Sequence, residues 1–138
     1  MAKLRHVALS VPDPHQAAEF YIKAFDMKKV GQNDSAQFEG VYLSDGVMNL
    51  ALLHFKTDEL TGEEGGKDFV GLHHIGFWVD DAHKAQKQAE SAGAAYLMGE
   101  IPDQEQSFYE VKFRDPNGVM FDISAHGWGG AVKNPGAG

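Results

Sequence analysis

The sequence predicts an α+β protein in which one unit, a strand, a helix and three strands, is used twice. Three observations predict it. Leu4–Val11 and Leu72–Val79 carry a histidine in the same frame, His6-Val7-Ala8-Leu9-Ser10-Val11 against His74-Ile75-Gly76-Phe77-Trp78-Val79. Each stretch ends in an acidic turn that opens a helical pattern. Each half then closes through a Gly-bearing turn followed by Val-Met, Gly46–Met48 in the first and Gly118–Met120 in the second. A half of about sixty residues is too small to cover its own sheet, so the two share a core or pair across chains.

The elements follow in order. Leu4–Val11 alternates and is β-rich, which makes it a strand. Asp13 stands as N-cap with Pro14 at the first helical position. Ala17, Phe20, Tyr21, Ala24 and Phe25 then fall at helical spacing, and the helix ends near Asp26. Lys29–Gly31 and Gly40–Leu43 read as short strands, Ser44–Gly46 as a hairpin turn and Val47–Phe55 as the closing strand. Thr57–Asp68 is acidic, Gly-rich and almost without apolar residues, so it reads as a linker. The pattern restarts with a strand at Leu72–Val79, and Asp80 and Asp81 cap a helix that stops at Gly93. Tyr96–Leu97 and Ser107–Phe113 are strand candidates, Arg114–Gly118 is a turn, and Val119–Ala125 closes the half. The boundaries are a first module at 1–56, a linker at 57–70, a second module at 71–126 and a tail at 127–138. The tail is rich in glycine with little to pack, and it is expected to be flexible.

Bulk properties narrow the function. The chain has 138 residues, a formal net charge of −8 and twelve scattered Lys and Arg, which argues against nucleic acid or an anionic membrane as partner. It has no cysteine, which removes disulfides, thiolate metal sites and Cys nucleophiles. No apolar run approaches a membrane span and the first residues do not form a signal peptide, so a cytoplasmic protein acting on a small molecule is expected.

His6 and His74 are the first candidates for chemistry. With the halves related by a pseudo-twofold axis, equivalent first-strand residues lie near the axis on facing surfaces. Two imidazoles so placed suit a metal ion, and a competent site needs a further ligand, normally a carboxylate. Asp122, between Phe121 and Ile123 in the last strand, supplies one, and burying an acid there is costly unless it is paired or metal-bound. Alternation alone also fits an Asp122 that faces solvent, and a lone strand histidine is commonly an ordinary core residue. Neighbouring strand residues point to opposite faces, so His73 and His74 cannot both look into one site.

"LRHVALSVPD", "GLHHIGFWVDD" and "FRDPNGVMFDIS" closely resemble the vicinal oxygen chelate superfamily, which includes glyoxalase I, methylmalonyl-CoA epimerase, extradiol dioxygenases and bleomycin-resistance proteins. The resemblance spans about residues 3–126. It implies a curled, barrel-like mixed sheet with the helices outside (a glyoxalase-like fold) around one divalent metal. It assigns His6, His74 and Asp122 as metal ligands, with Asp where Glu is more usual. His74 then holds the ligand frame shared with His6, and His73 points to the other face as a structural or second-layer residue.

The sequence departs from the epimerase-like pattern in "MNLALLHF". The Glu that precedes Leu-Leu-His there falls on Ala51, or on Leu50 when counted from the Asp-Gly turn, and neither side chain binds a metal. His54 lies on the strand face opposite Ala51, whereas Asn49 shares that face and offers a weak amide oxygen. Two histidines and one carboxylate with open positions form the ligand set of non-haem Fe(II) oxygenases, so a dioxygenase with Fe2+ is favoured. A glyoxalase- or epimerase-type lyase or isomerase with Ni2+, Co2+, Zn2+ or Mn2+ is the alternative, and a small-molecule binding protein is the third reading. Tyr109 is a candidate proton donor, and Asn49, Ala51, Phe77 and Trp78 are candidate substrate contacts, with one of Phe77 and Trp78 lining the site and the other packing under a helix. Met48 and Met120 read as core, and His126 and Trp128 as cover for the cavity mouth or as bystanders. The acidic surface disfavours a large polyanionic substrate such as a CoA ester, and a homodimer is expected from the resemblance.

Overall fold

A computed structural model describes residues 1–61, 65–99 and 111–136. The duplicated order is present: β1 (Lys3–Ser10), α1 (Pro14–Phe25), β2 (Lys28–Asp34), β3 (Phe38–Ser44) and β4 (Asn49–Phe55), then β5 (Gly71–Trp78), α2 (Ala82–Ser91), β6 (Ala95–Met98), β7 (Val111–Arg114) and β8 (Met120–Ser124). The eight strands form one curled, unclosed mixed sheet in the order β2-β3-β4-β1-β5-β8-β7-β6. Within each module the first and last strands run parallel, β1 with β4 and β5 with β8. The modules join through antiparallel pairing of β1 with β5, so both first strands stand at the centre of the sheet.

Local chemistry accounts for the helices. Asp13 accepts from the backbone N–H of His15 and Gln16, Pro14 opens α1, and Asp26 ends it in the left-handed region at φ 56°. Asp81 accepts from Lys84 N–H at the start of α2, and Gly93 follows its end at φ 114°. Alternation then divides the strand residues between two faces. Outward-facing Val41, Leu43 and Leu52 are buried against Ala18 of α1. In the second module Val79, Val111, Phe113 and Ile123 are buried with Ala82 of α2, and Phe77 packs against this cluster. Both helices thus cover the outer face. The inner face of the first module carries Ala8, Ala51, Leu53 and Phe55, flanked by Phe38 and Tyr42.

Three expectations change. Strands β2 and β3 extend beyond the short stretches read from sequence, because antiparallel pairing runs from Lys28↔Ser44 to Asp34↔Glu39. Met120 is fully buried as expected, but Met48 is only half-buried at the turn before β4. The C-terminal segment has much to pack against. Arg5 donates to the carbonyls of Val132 (2.8 Å) and Lys133 (2.9 Å), Ser44 Oγ donates to Gly130 O (2.7 Å), and Val132 N–H donates to Val47 O (2.9 Å). Lys133 also pairs with Asp80, and this contact, joined by the chain's amino terminus, holds the Asp80 carboxyl down at about 2. Backbone groups supply most of these bonds, so a Gly-rich composition does not weaken them. No described helix is long and apolar enough to cross a membrane.

Candidate metal centre

One cross-strand row of the inner face builds the site. Register places Ser44 beside Asn49, Asn49 beside His6, His6 beside Gly76, Gly76 beside Asp122 and Asp122 beside Lys112. His74 stands in the next row, opposite Ala8. His6, His74 and Asp122 are 4%, 4% and 0% exposed, so Asp122 is not the solvent-facing acid that alternation alone would allow. One ligand atom from each lies within 4.8 Å of the others. The three donors that the sequence singled out therefore meet within one chain.

The surrounding hydrogen bonds orient the two rings. Asn49 Nδ2 donates to Gly129 O at 2.8 Å, which turns its Oδ1 toward His6 Nδ1, also at 2.8 Å. An amide oxygen only accepts, so His6 carries a proton on Nδ1 and directs Nε2 toward His74 and Asp122. On the other side, His73 Nε2 lies 2.9 Å from the Thr61 carbonyl and His73 Nδ1 lies 2.7 Å from His74 Nδ1. The carbonyl only accepts, so His73 donates from Nε2; with both rings neutral, His74 then donates from Nδ1 and turns the lone pair of its Nε2 toward Asp122 and His6. The two Nε2 atoms are 3.1 Å apart. Asp122 Oδ2 lies 3.1 Å from His74 Nε2 and 3.9 Å from His6 Nε2, and it is buried with no hydrogen-bond partner.

Two imidazole nitrogens and a carboxylate oxygen therefore converge in a buried site, an arrangement that a cation suits. The spacing fits a divalent metal. The separations of 3.1, 3.1 and 3.9 Å are on the scale at which side chains share one ion. Lys112 Nζ binds Asp122 Oδ1 at 2.6 Å, so one carboxylate oxygen is committed to the lysine and the other faces the histidines.

His73 does not point to the opposite face. The pairing of β1 with β5 slips between Ala8↔His74 and Leu9↔Leu72, leaving His73 as an extra residue in a β-bulge. The bulge breaks alternation and brings both imidazoles to one side. His73 Nδ1 then lies against His74 Nδ1, beside the candidate site, as a second-layer residue would.

Asn49 is corrected as well. It is 1% exposed with both amide atoms engaged, so it holds His6 in place and is not a substrate contact. Ala51 is buried on the inner face between Ala8 and Tyr42 and has no donor to offer. Phe77 belongs to the outer cluster beneath α2 and is removed from the substrate contacts. Trp78 takes the inner side, where its Nε1 donates to Ala125 O at 3.1 Å and Gly127 lies against its ring. Trp128 stacks on His6 with ring centroids 4.6 Å apart and planes 4° apart. Gly76 permits this: a Cβ there would stand 2.7 Å from the Trp128 ring and 2.9 Å from His6 Cβ. Tyr109 and the first part of the strand candidate Ser107–Phe113 lie outside the described residues.

Sequence reasoning missed Lys112 and the carbonyls of Thr61 and Gly129. A signal for Lys112 existed, since Val111-Lys112-Phe113 and Phe121-Asp122-Ile123 each set one charge between apolar residues on paired strands. The backbone carbonyls left no sequence signal.

Comparison with known proteins agrees with the fold. The family model described as Glyoxalase/Bleomycin resistance protein/Dioxygenase superfamily matches residues 3–123. No curated protein sequence matches the chain. A solved methylmalonyl-CoA epimerase in complex with methylmalonyl-CoA and NH4+ is similar at TM-score 0.73 and 19% identity, covering 98% of this chain and 99% of that one. An epimerase variant from Streptomyces coelicolor in complex with 2-nitronate-propionyl-CoA gives TM-score 0.73 and 19% identity over 96% and 98% of the two chains. A hypothetical protein from Bacillus halodurans C-125 gives TM-score 0.69 and 17% identity over 88% and 92%.

Proposed function

Since this chain belongs to the Glyoxalase/Bleomycin resistance protein/Dioxygenase superfamily, we propose that it is a metal-dependent enzyme acting on a small substrate with two adjacent oxygens. The observation that carries this reading is the convergence of His6 Nε2, His74 Nε2 and Asp122 Oδ2 in one buried site. His6 and His74 would hold one divalent cation through Nε2, and Asp122 through Oδ2. Asn49 would hold the His6 ring in orientation, and Lys112 keeps Asp122 Oδ1 turned away. The cation would supply Lewis-acid polarisation of the substrate oxygens and, as Fe2+, redox chemistry with O2.

Two observations favour a dioxygenase with Fe2+. Ala51 stands where the epimerase-like acid falls, and among the described residues Asp122 is the only buried carboxylate, so a proton shuttle needing a second acid has no described member there. The second reading, a glyoxalase- or epimerase-type proton transfer beside a carbonyl, is favoured by the likeness in fold to solved methylmalonyl-CoA epimerases. The test is oxygen uptake by anaerobically Fe2+-loaded protein against a panel of catechols and related chelators. Uptake is the expected result. Isomerisation of a glutathione hemithioacetal or epimerisation of an acyl-CoA with Ni2+, Co2+ or Zn2+, without oxygen consumption, would promote the second reading. Tight ligand binding that a chelator leaves unchanged, with neither activity, would indicate a binding protein.

We further propose a homodimer with each metal site inside one chain. Leu4 and Leu72, 42% and 50% exposed, flank the Val7↔Ile75 pair on the outer side of the central strands, an apolar seam suited to a second copy. Light scattering should report twice the chain mass. Mixing inactive His6→Ala and His74→Ala proteins under subunit exchange should restore nothing, because no chain in the mixture keeps both ligands. Recovery of activity would show that sites are shared, and a monomer would overturn the dimer.

A further inference from the structure

His73 and His74 lie on one side of the sheet because a bulge places both opposite Ala8. Neither ring nitrogen of His73 faces the metal donors; one meets the Thr61 carbonyl and the other meets His74 Nδ1. Thr61 belongs to the segment between the modules, is 1% exposed, and has its own Oγ1 tied to Asp58 O at 3.0 Å. The carbonyl is an acceptor, so His73 Nε2 donates to it, and with both rings neutral His73 Nδ1 accepts from His74 Nδ1.

From this geometry we propose that His73 is a positioning residue for the metal centre. It holds His74 in the tautomer whose Nε2 lone pair faces the cation, using an anchor that the inter-module segment provides. The inference rests on the metal reading above for its consequence, though not for its proton pattern. A plainer role competes with it, since the His73 ring also packs on Phe55 with centroids 4.7 Å apart. Packing needs only the volume of a side chain. Positioning needs an acceptor toward His74 and a donor toward Thr61, which a glutamine amide can also offer.

The experiment compares wild type, His73→Gln, His73→Leu and His73→Phe, the last preserving ring volume against Phe55. Long-range 1H–15N spectra of the metal-free proteins read the His74 tautomer, and Co2+ titration reads metal affinity. Wild type and His73→Gln should show His74 protonated on Nδ1 and should bind Co2+ similarly. His73→Leu and His73→Phe should show loss of that tautomer and about 10–100-fold weaker Co2+ binding, the range expected when a ligand loses its supporting partner. Glutamine falling as far as leucine, or His74 keeping its Nδ1 proton in the leucine and phenylalanine variants, would overturn the proposal. So would a wild-type His74 protonated on Nε2, a result that needs no variant to fold. If wild type takes up no Co2+, the metal reading fails, while the spectra still decide the role of His73.

Discussion

Single replacement of His6, His74 or Asp122 by alanine should empty the metal site and abolish turnover. Each residue supplies one of three donors from a different strand, β1, β5 and β8, and two donors leave a divalent ion held by less than half of its usual shell. The loss should exceed the roughly 10–100-fold effect of removing a supporting neighbour. Elemental analysis of the purified variants measures metal content, and turnover follows it. The contrast with His73→Ala is the sharper part of the test. That variant keeps all three donors, so it should still load metal at saturating concentration, with lowered affinity. Metal retained by His74→Ala and lost from His73→Ala would mean that the two histidines have been assigned the wrong way round.

Lys112→Met should cost the metal-free protein about 2–3 kcal/mol, or about 10 °C in Tm for a chain of this size. Asp122 is fully buried, and Lys112 is the cation on its Oδ1, with a side chain only 16% exposed. Removing the lysine leaves a carboxylate in the interior with its charge uncompensated, the situation that makes broken buried pairs expensive. A bound divalent metal would supply charge to the same carboxylate. The variant should therefore gain more thermal stability than wild type on adding metal, because binding selects the folded state and the metal replaces what the lysine provided. Equal loss with and without metal would show that Lys112 contributes only packing. The combined Lys112→Met, Asp122→Asn protein should recover much of the metal-free stability, since neither charge then remains alone.

The sequence made the architecture legible because the repeat carries its own check. A histidine frame, an acidic turn into a helix and a Gly-Val-Met turn occur twice in the same order, and all eight strands lie where that repeat calls for them. Two candidate ligands are legible through the repeat and the third through an acid set between apolar residues. What could not be read was whatever depends on one residue of slippage or on backbone atoms. The bulge at His73 is a change in pairing count between two distant strands, and no local composition announces it. Alternation, a sound rule for regular strands, gave the wrong face for that reason alone. The sequence offers the Asn49 amide oxygen as a weak ligand, whereas the Gly129 carbonyl turns that oxygen onto His6. The glycines of the C-terminal segment suggest looseness, yet its hydrogen bonds come largely from main-chain groups that any composition provides.

The position of the tryptophans gives the protein a built-in optical probe. The chain has two, Trp78 and Trp128. Trp78 lies under Gly127, and Trp128 is stacked face to face on His6. Tryptophan emission therefore comes from these two indoles alone, one in β5 against Gly127 and one in the C-terminal segment on His6. A paramagnetic ion such as Co2+ held by His6 would sit one imidazole away from the Trp128 ring, close enough to quench it strongly. Detachment of the segment would instead move Trp128 into water and shift its emission to longer wavelength. Intensity therefore follows occupancy of the centre and wavelength follows docking of the segment, two quantities that one unlabelled sample yields in a single titration.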